Sequence, residues 1–196
     1  MSNTLIDNEK LLQVKGEGSI IFTAPHTLYF KRFKSIHLPE NNVKKIVKKL
    51  RNKLGEKNSR SITWNLLPDE KDLSQDDPNY LSIKKLDNNI WYNTLKEISK
   101  ERKNQFVIDL HGMDNSHKYD IIIGLKSFRK VYGEYQYRKI VSILLEVFEP
   151  FKEKYNLRIG YNIIFQGYIN KNYYTVSHMC NSLGFKAIQI ELSSIF

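Results

Sequence analysis

Apolar positions along this chain recur with two periods, and stretches of the two kinds alternate. Strand-like runs are "GSIIFTAPH" (residues 18–26), "QFVIDLHG" (105–112), "YDIIIGL" (119–125), "RIGYNIIFQG" (158–167) and "FKAIQIEL" (185–192); "RSITWNLL" (60–67) is a further candidate. Between them, Val43, Ile46, Val47, Leu50 and Leu54 recur at helical spacing and predict a helix over 40–54. Ile90, Trp91, Leu95 and Ile98 predict a second helix within 86–103, and residues 135–155 a third, long one. "YYTVSHMCNSLG" (173–184) reads as a short helix ending at Gly184. The acidic, turn-rich "PDEKDLSQDDPNY" (68–80) reads as a loop. Apolar strands alternating with helices predict an α/β fold: a three-layer sandwich around a mixed, largely parallel central sheet. Residues 1–10 are polar and are expected to be a flexible N-terminal segment. Residues 11–196 are expected to form one catalytic domain.

In sheets of this kind ligands sit beyond the carboxyl ends of the strands. The residues at the end of each apolar run are therefore informative. His26 comes after "SIIFTAP", His111 after "FVIDL", and Glu191 lies between Ile190 and Leu192. A catalytic zinc takes three protein ligands and keeps one position for water. His26 and His111 supply two imidazoles, and Glu40, at the start of the 40–54 helix, supplies the carboxylate. "HLPE" (37–40) offers a competing set, His37, Glu40 and His111, because H-x-x-E is itself a ligand spacing. A fold with no metal is the third alternative. Asp109 lies two residues before His111, on the same strand face, and can accept its imidazole N–H. His117 and His178, in a polar turn and a short helix, read as structural.

Composition narrows the setting. One cysteine, Cys180, forms no internal disulfide, and no apolar run approaches the roughly 20 residues that span a bilayer. The N-terminus has no signal-peptide pattern, so a cytoplasmic location without membrane association is expected. The formal charge is +10, concentrated in "NNVKKIVKKLRNKLGEK". That excess fits an anionic partner. No nucleic-acid motif is visible, and the aromatic residues are interleaved with the core rather than with the lysines. A basic nucleic-acid-binding module, or a hydrolase scaffold that binds without turnover, remains the competing class.

"TAPH" after a strand, "PENN" opening a helix, "DDPNY", "DLHGM" followed by "YDIIIG", and "AIQIEL", in that order, resemble the N-formylglutamate amidohydrolase family over residues 18–193. The resemblance implies a zinc carboxypeptidase-like (phosphorylase/hydrolase-like) fold. It implies one Zn2+ per chain held by His26, Glu40 and His111, and Glu191 as the general base and acid. It also implies cleavage of a C–N amide bond in a small anionic N-acyl amino acid or peptide. Asn79, in "DDPNY", matches a family motif and is a candidate substrate donor. Sites of the carboxypeptidase type use arginine to hold a substrate carboxylate and polarise the carbonyl, and Arg60 is the candidate for both roles. Thr27 and Leu28 after Pro25-His26 depart from the family pattern, as does an end five residues after Glu191. Both leave the substrate open.

Overall fold

Strands form where β-branched and aromatic residues cluster between turn residues, and helices where apolar residues recur every three or four positions. The computed structural model describes residues 11–32, 35–101 and 104–193. The expected segment 1–10 lies outside the described residues. In chain order, Leu12–Lys15 (β1) and Ile20–Ala24 (β2) precede a hairpin of Phe30–Arg32 (β3) and Ser35–His37 (β4). Helix α1 spans Asn41–Leu54, strand β5 Ser59–Trp64 and strand β6 Leu81–Ser82. Helix α2 covers Ile90–Glu101, strand β7 Phe106–Met113 and strand β8 Ile121–Gly124. The long helix α3, Lys126–Tyr155, precedes Ile159–Tyr161 (β9) and Tyr173–Tyr174 (β10). Helix α4, Val176–Ser182, and strand β11, Lys186–Ser193, complete the fold.

Seven strands form one sheet in the order β1-β5-β2-β7-β11-β8-β9. The central four, β5, β2, β7 and β11, run parallel. β1 and β8 pair antiparallel with β5 and β11, and β9 runs parallel to β8. Helices cover both faces, as the alternating pattern predicts. On one face Trp91, Leu95 and Ile98 of α2 and Val176, Met179 and Cys180 of α4 pack on Ile21, Ile62, Trp64, Val107 and Ala187. On the other, Val43 and Val47 of α1 and Leu144 of α3 pack on Phe22, Leu110, Ile123, Ile188 and Ile190.

The period of two in β7 and β11 has a consequence for chemistry. Val107 and Ala187 face the α2/α4 side, so Asp109 and His111, and Gln189 and Glu191, face it too. Parallel register sets Thr23 beside Asp109, Asp109 beside Gln189, and His111 beside Glu191. That face is therefore apolar where the strands begin and polar where they end.

Several elements depart from the sequence reading. Between His26 and Glu40 the structure adds the β3–β4 hairpin, and β1 is an edge strand too short to announce itself. The strand expected over 158–167 stops at Tyr161. There Asn162 takes a left-handed φ of 51° and its side-chain oxygen accepts the Leu125 N–H at 2.6 Å, which turns the chain. Tyr173 and Tyr174 pair with β6 instead of opening α4, whose N-cap is Thr175, its hydroxyl accepting the His178 N–H. α3 begins at Lys126, before residue 135, and Gly133, at φ 80°, interrupts its helical course.

Trp64 ties this core to the chain just beyond β2. It is fully buried, and its indole N–H donates to the Pro25 carbonyl at 2.6 Å. Trp64→Phe keeps most of the packing but orphans that carbonyl, and should destabilise by about 1–3 kcal/mol. Trp64→Ala should cost more, about 3–5 kcal/mol. Urea unfolding of the two variants checks the ranking, and equal losses would show that the hydrogen bond contributes nothing.

Candidate metal centre

β2 ends at Ala24 and Pro25 carries the chain to His26, which is 3% exposed. The next contact is local: the Glu40 N–H donates to the His26 carbonyl at 2.6 Å, closing the excursion that contains the hairpin. Glu40 is the residue before α1, yet its side chain makes no capping bond to the helix. One carboxylate oxygen lies 2.9 Å from His26 Nδ1, and the other accepts the Gly112 N–H at 2.9 Å. β7 delivers His111, whose Nδ1 lies 3.0 Å from His26 Nδ1 and 3.6 Å from the Glu40 carboxylate. Structure thus brings His26, Glu40 and His111 together, their ligand-type atoms all within 4.8 Å of one another.

This triangle fits a tetrahedral metal. Metal–nitrogen and metal–oxygen bonds of about 2.0–2.1 Å imply ligand atoms about 3.3 Å apart. The two imidazole nitrogens, at 3.0 Å, and the His26–Glu40 contact, at 2.9 Å, lie near that value, while His111 is 3.6 Å from the other Glu40 oxygen. The far nitrogen of each imidazole is also engaged. His26 Nε2 lies 3.0 Å from Asp77, and His111 Nε2 lies 3.2 Å from Asp109. A carboxylate beside each far nitrogen favours the tautomer that turns a lone pair inward. Asp109 is itself held by the Thr23 hydroxyl at 2.6 Å and the Ser177 hydroxyl at 3.1 Å. Asp77 is held by an ion pair with Arg32, which also approaches His26 Nε2 at 2.8 Å.

The electrostatics arise from burial and these pairings. Burial opposes charge on His26, but Glu40 and Asp77 outweigh it and raise its pKa. His111 is likewise raised well above its ordinary value, burial being overcome by Asp109 and Glu191. Burial alone would raise the carboxyls of Glu40 and Asp77; the adjacent imidazoles drive both below the usual carboxylate range. Glu191 differs. It is 4% exposed, and burial pushes its carboxyl up to about 7. Gln189 donates to one of its oxygens at 2.5 Å.

A groove of about 660 Å3 opens onto this cluster, lined by His26, Glu40, Glu191 and Gln189 and by residues 163–169. Asn79 also lines it; its side-chain oxygen accepts the Val176 N–H at 2.8 Å, and its nitrogen lies 3.3 Å from His111 Nε2. Arg60 is not in this groove. It lies near the beginning of β5, in register with Ile21 near the beginning of β2, and bonds the Gly16 carbonyl and Glu101. A residue that opens a parallel strand lies at the end of the sheet opposite the site. Arg32 is the guanidinium of the groove. The His37 ring is tilted against that of His26, with centroids 4.3 Å apart, and lies 3.5 Å from Glu40, while its Nδ1 is buried without a partner among the described residues. Burial and the neighbouring His26 lower its pKa to about 4. His117 lies on the groove rim against Phe165, and His178 stacks on Tyr174 outside the groove lining.

Sequence reasoning missed Asp77, Arg32, Gln189, Thr23 and Ser177. Gln189 and Thr23 were readable, since each shares the strand period of a residue already chosen. Asp77 stood inside "DDPNY", where its role as cap of the Pro78–Tyr80 turn masked its second contact.

No protein-family model matches the chain, and no curated protein matches its sequence. Solved structures do match. An N-formylglutamate amidohydrolase from Ralstonia eutropha JMP134 superposes with a TM-score of 0.51 at 10% identity, over 95% of this chain and 87% of that one. A bacteriophage poly-gamma-glutamate hydrolase matches at 0.48 and 15% identity, over 93% of this chain and 70% of that one. The likeness to the amidohydrolase is one of fold, and it is the fold that the motif order led us to expect. Among the described residues no helix is long and apolar enough to cross a membrane.

If the triangle is the metal site, Zn2+ should bind with one ion per chain and raise the melting temperature. His26→Ala or His111→Ala should abolish stoichiometric binding. Glu40→Gln should weaken it sharply, whereas His37→Ala should leave it nearly intact. Calorimetric titration of the variants checks the order, and the reverse ranking of Glu40 and His37 would move the site to the H-x-x-E set.

Proposed function

We infer that the chain is a zinc-dependent hydrolase that cleaves a C–N amide bond in a small N-acyl amino acid or peptide. One observation carries this reading: His26, Glu40 and His111 converge within a ligand triangle at the strand ends, and the buried acid Glu191 shares their groove. The fold likeness to an amidohydrolase supports it.

When bound, zinc would act as a Lewis acid that polarises the amide carbonyl and acidifies water. His26 Nδ1, His111 Nδ1 and a Glu40 oxygen would hold it. Asp77 and Asp109 keep both rings in the tautomer this requires. Glu191 takes a proton from the attacking water and returns it to the leaving nitrogen. Gln189 occupies one Glu191 oxygen and leaves the other for the proton. The burial that raises Glu191 toward 7 places it where both halves of that cycle run near neutral pH. Arg32 lies where it can meet an anionic substrate group, the role that Arg60 is too distant to fill. Asn79 holds the start of α4 beside the groove through the Val176 N–H.

Glu191→Gln should retain zinc and fold yet lower turnover by roughly two to four orders of magnitude. In the wild type kcat/KM should rise with pH through an acid limb, because the base acts ionised. That limb should lie at or below about 7, since a bound cation favours the carboxylate. A screen of N-acyl amino acids and short acidic peptides provides the assay. Equal rates for wild type and variant would remove Glu191 from the mechanism. A zinc-loaded protein that hydrolyses nothing in a broad panel would favour a binding protein on a hydrolase scaffold.

A further inference from the structure

Helix α1 carries six basic residues and no acid, and the function inferred above uses none of them. Where a helix crosses a sheet the facing residues are ordinarily apolar. At the outer strands they are not. Gln13 and Lys15 of β1 lie opposite Thr63 and Ser61 of β5. These four line a groove of about 370 Å3 together with Lys44, Lys45, Lys48 and Arg51 of α1. The alternate residues Leu12, Ile62 and Trp64 enter the core on the far face, so the polar character belongs to this face alone.

Among the described residues no carboxylate lines the groove. Arg51 is 7% exposed; it gives one N–H to the exposed Glu56 at 3.1 Å and another to Asn52 at 2.8 Å. Its Nε–H is buried with no acceptor among the described residues. Lys44 donates to the Trp64 carbonyl at 2.6 Å, and burial lowers its pKa. Lys15, Lys45 and Lys48 have no acidic partner among the described residues. A buried donor without an acceptor is destabilising, and so are clustered like charges. A multiply charged oxyanion offsets the clustered charge, and the hydroxyls of Ser61 and Thr63 and the Gln13 amide add neutral donors.

We propose that this groove, between α1 and the edge of the sheet, binds an oligophosphate: a pyrophosphate or triphosphate group of a small molecule. The volume suits a small ligand. The lining contains no aromatic ring on which a base could stack, which disfavours single-stranded nucleic acid.

Calorimetric titration of the full chain with inorganic tripolyphosphate tests it. Binding with one site per chain is expected. Lys15→Ala/Lys48→Ala should weaken it at least tenfold, and Lys49→Ala/Lys53→Ala, on the same helix but outside the lining, less than twofold. Urea unfolding establishes that both variants fold. His26→Ala/His111→Ala should bind tripolyphosphate as the wild type does; loss there would place the anion at the metal centre and overturn the proposal without touching the hydrolase reading. Adenosine triphosphate binding as tightly as tripolyphosphate identifies the free phosphate chain as the ligand, and tighter binding identifies a nucleotide. Absence of binding, or equal losses in the two lysine pairs, overturns the site. So does a single-stranded oligonucleotide that binds more tightly than either and loses equally in both pairs.

Discussion

Two imidazole nitrogens face each other at 3.0 Å in a buried site, with a carboxylate oxygen 2.9 Å from one of them. With Asp77 and Asp109 accepting the far N–H groups, both Nδ1 atoms present lone pairs inward, beside a third set on Glu40. Three lone-pair donors cannot converge in a low-dielectric interior without positive charge between them. Either protons or a cation must supply it. The raised pKa values of both histidines register the same demand, because four carboxylates surround them. A divalent ion would meet the demand with one particle, and His26, Glu40 and His111 each offer a ligand atom within 4.8 Å of the other two.

The sheet makes the convergence possible. Parallel strands β2, β7 and β11 end on the same side, and their register sets Asp109 beside Thr23 and Glu191 beside His111. Each polar side chain in this ladder replaces a core residue and needs partners, though the Gln189 amide oxygen has none among the described residues. Thr23 and Ser177 serve Asp109, Gln189 serves Glu191, and Gly112 serves Glu40. The apolar halves of the same strands, with Trp64 and Trp91 fully buried beside them, supply the burial that this polar end forgoes.

How much of this could be read from the sequence depended on range. Alternation within "FVIDLHGM" and "KAIQIEL" put Asp109, His111, Gln189 and Glu191 on one face by local rule alone. His26 was legible from its place after a strand. Asp77 and Arg32 lie 51 and 6 residues from His26 and reach it through a turn and a hairpin that no periodicity signals. Arg60 was chosen for its chemistry; its position at the start of a strand already argued against it, because parallel topology separates strand starts from strand ends. The end of β9 turned on the backbone of Asn162, which strand-like neighbours on both sides concealed.

Net charge is a poor guide to either site. The chain carries +10, yet around the metal triangle Glu40, Asp77, Asp109 and Glu191 outnumber the guanidinium of Arg32. That local excess of acid favours a cation, and a cation in place would offset most of it and so lessen the repulsion of an anionic substrate. The positive charge of the sequence is concentrated along α1, whose N-terminal boundary contributes Glu40 to the triangle and whose body faces the polar edge of the sheet. An acid at that helix N-terminus is stabilised by the helix dipole, and lysines toward its C-terminus are stabilised by the opposite end. One helix can thus hold an acidic ligand and a cationic surface a few turns apart without either opposing the fold.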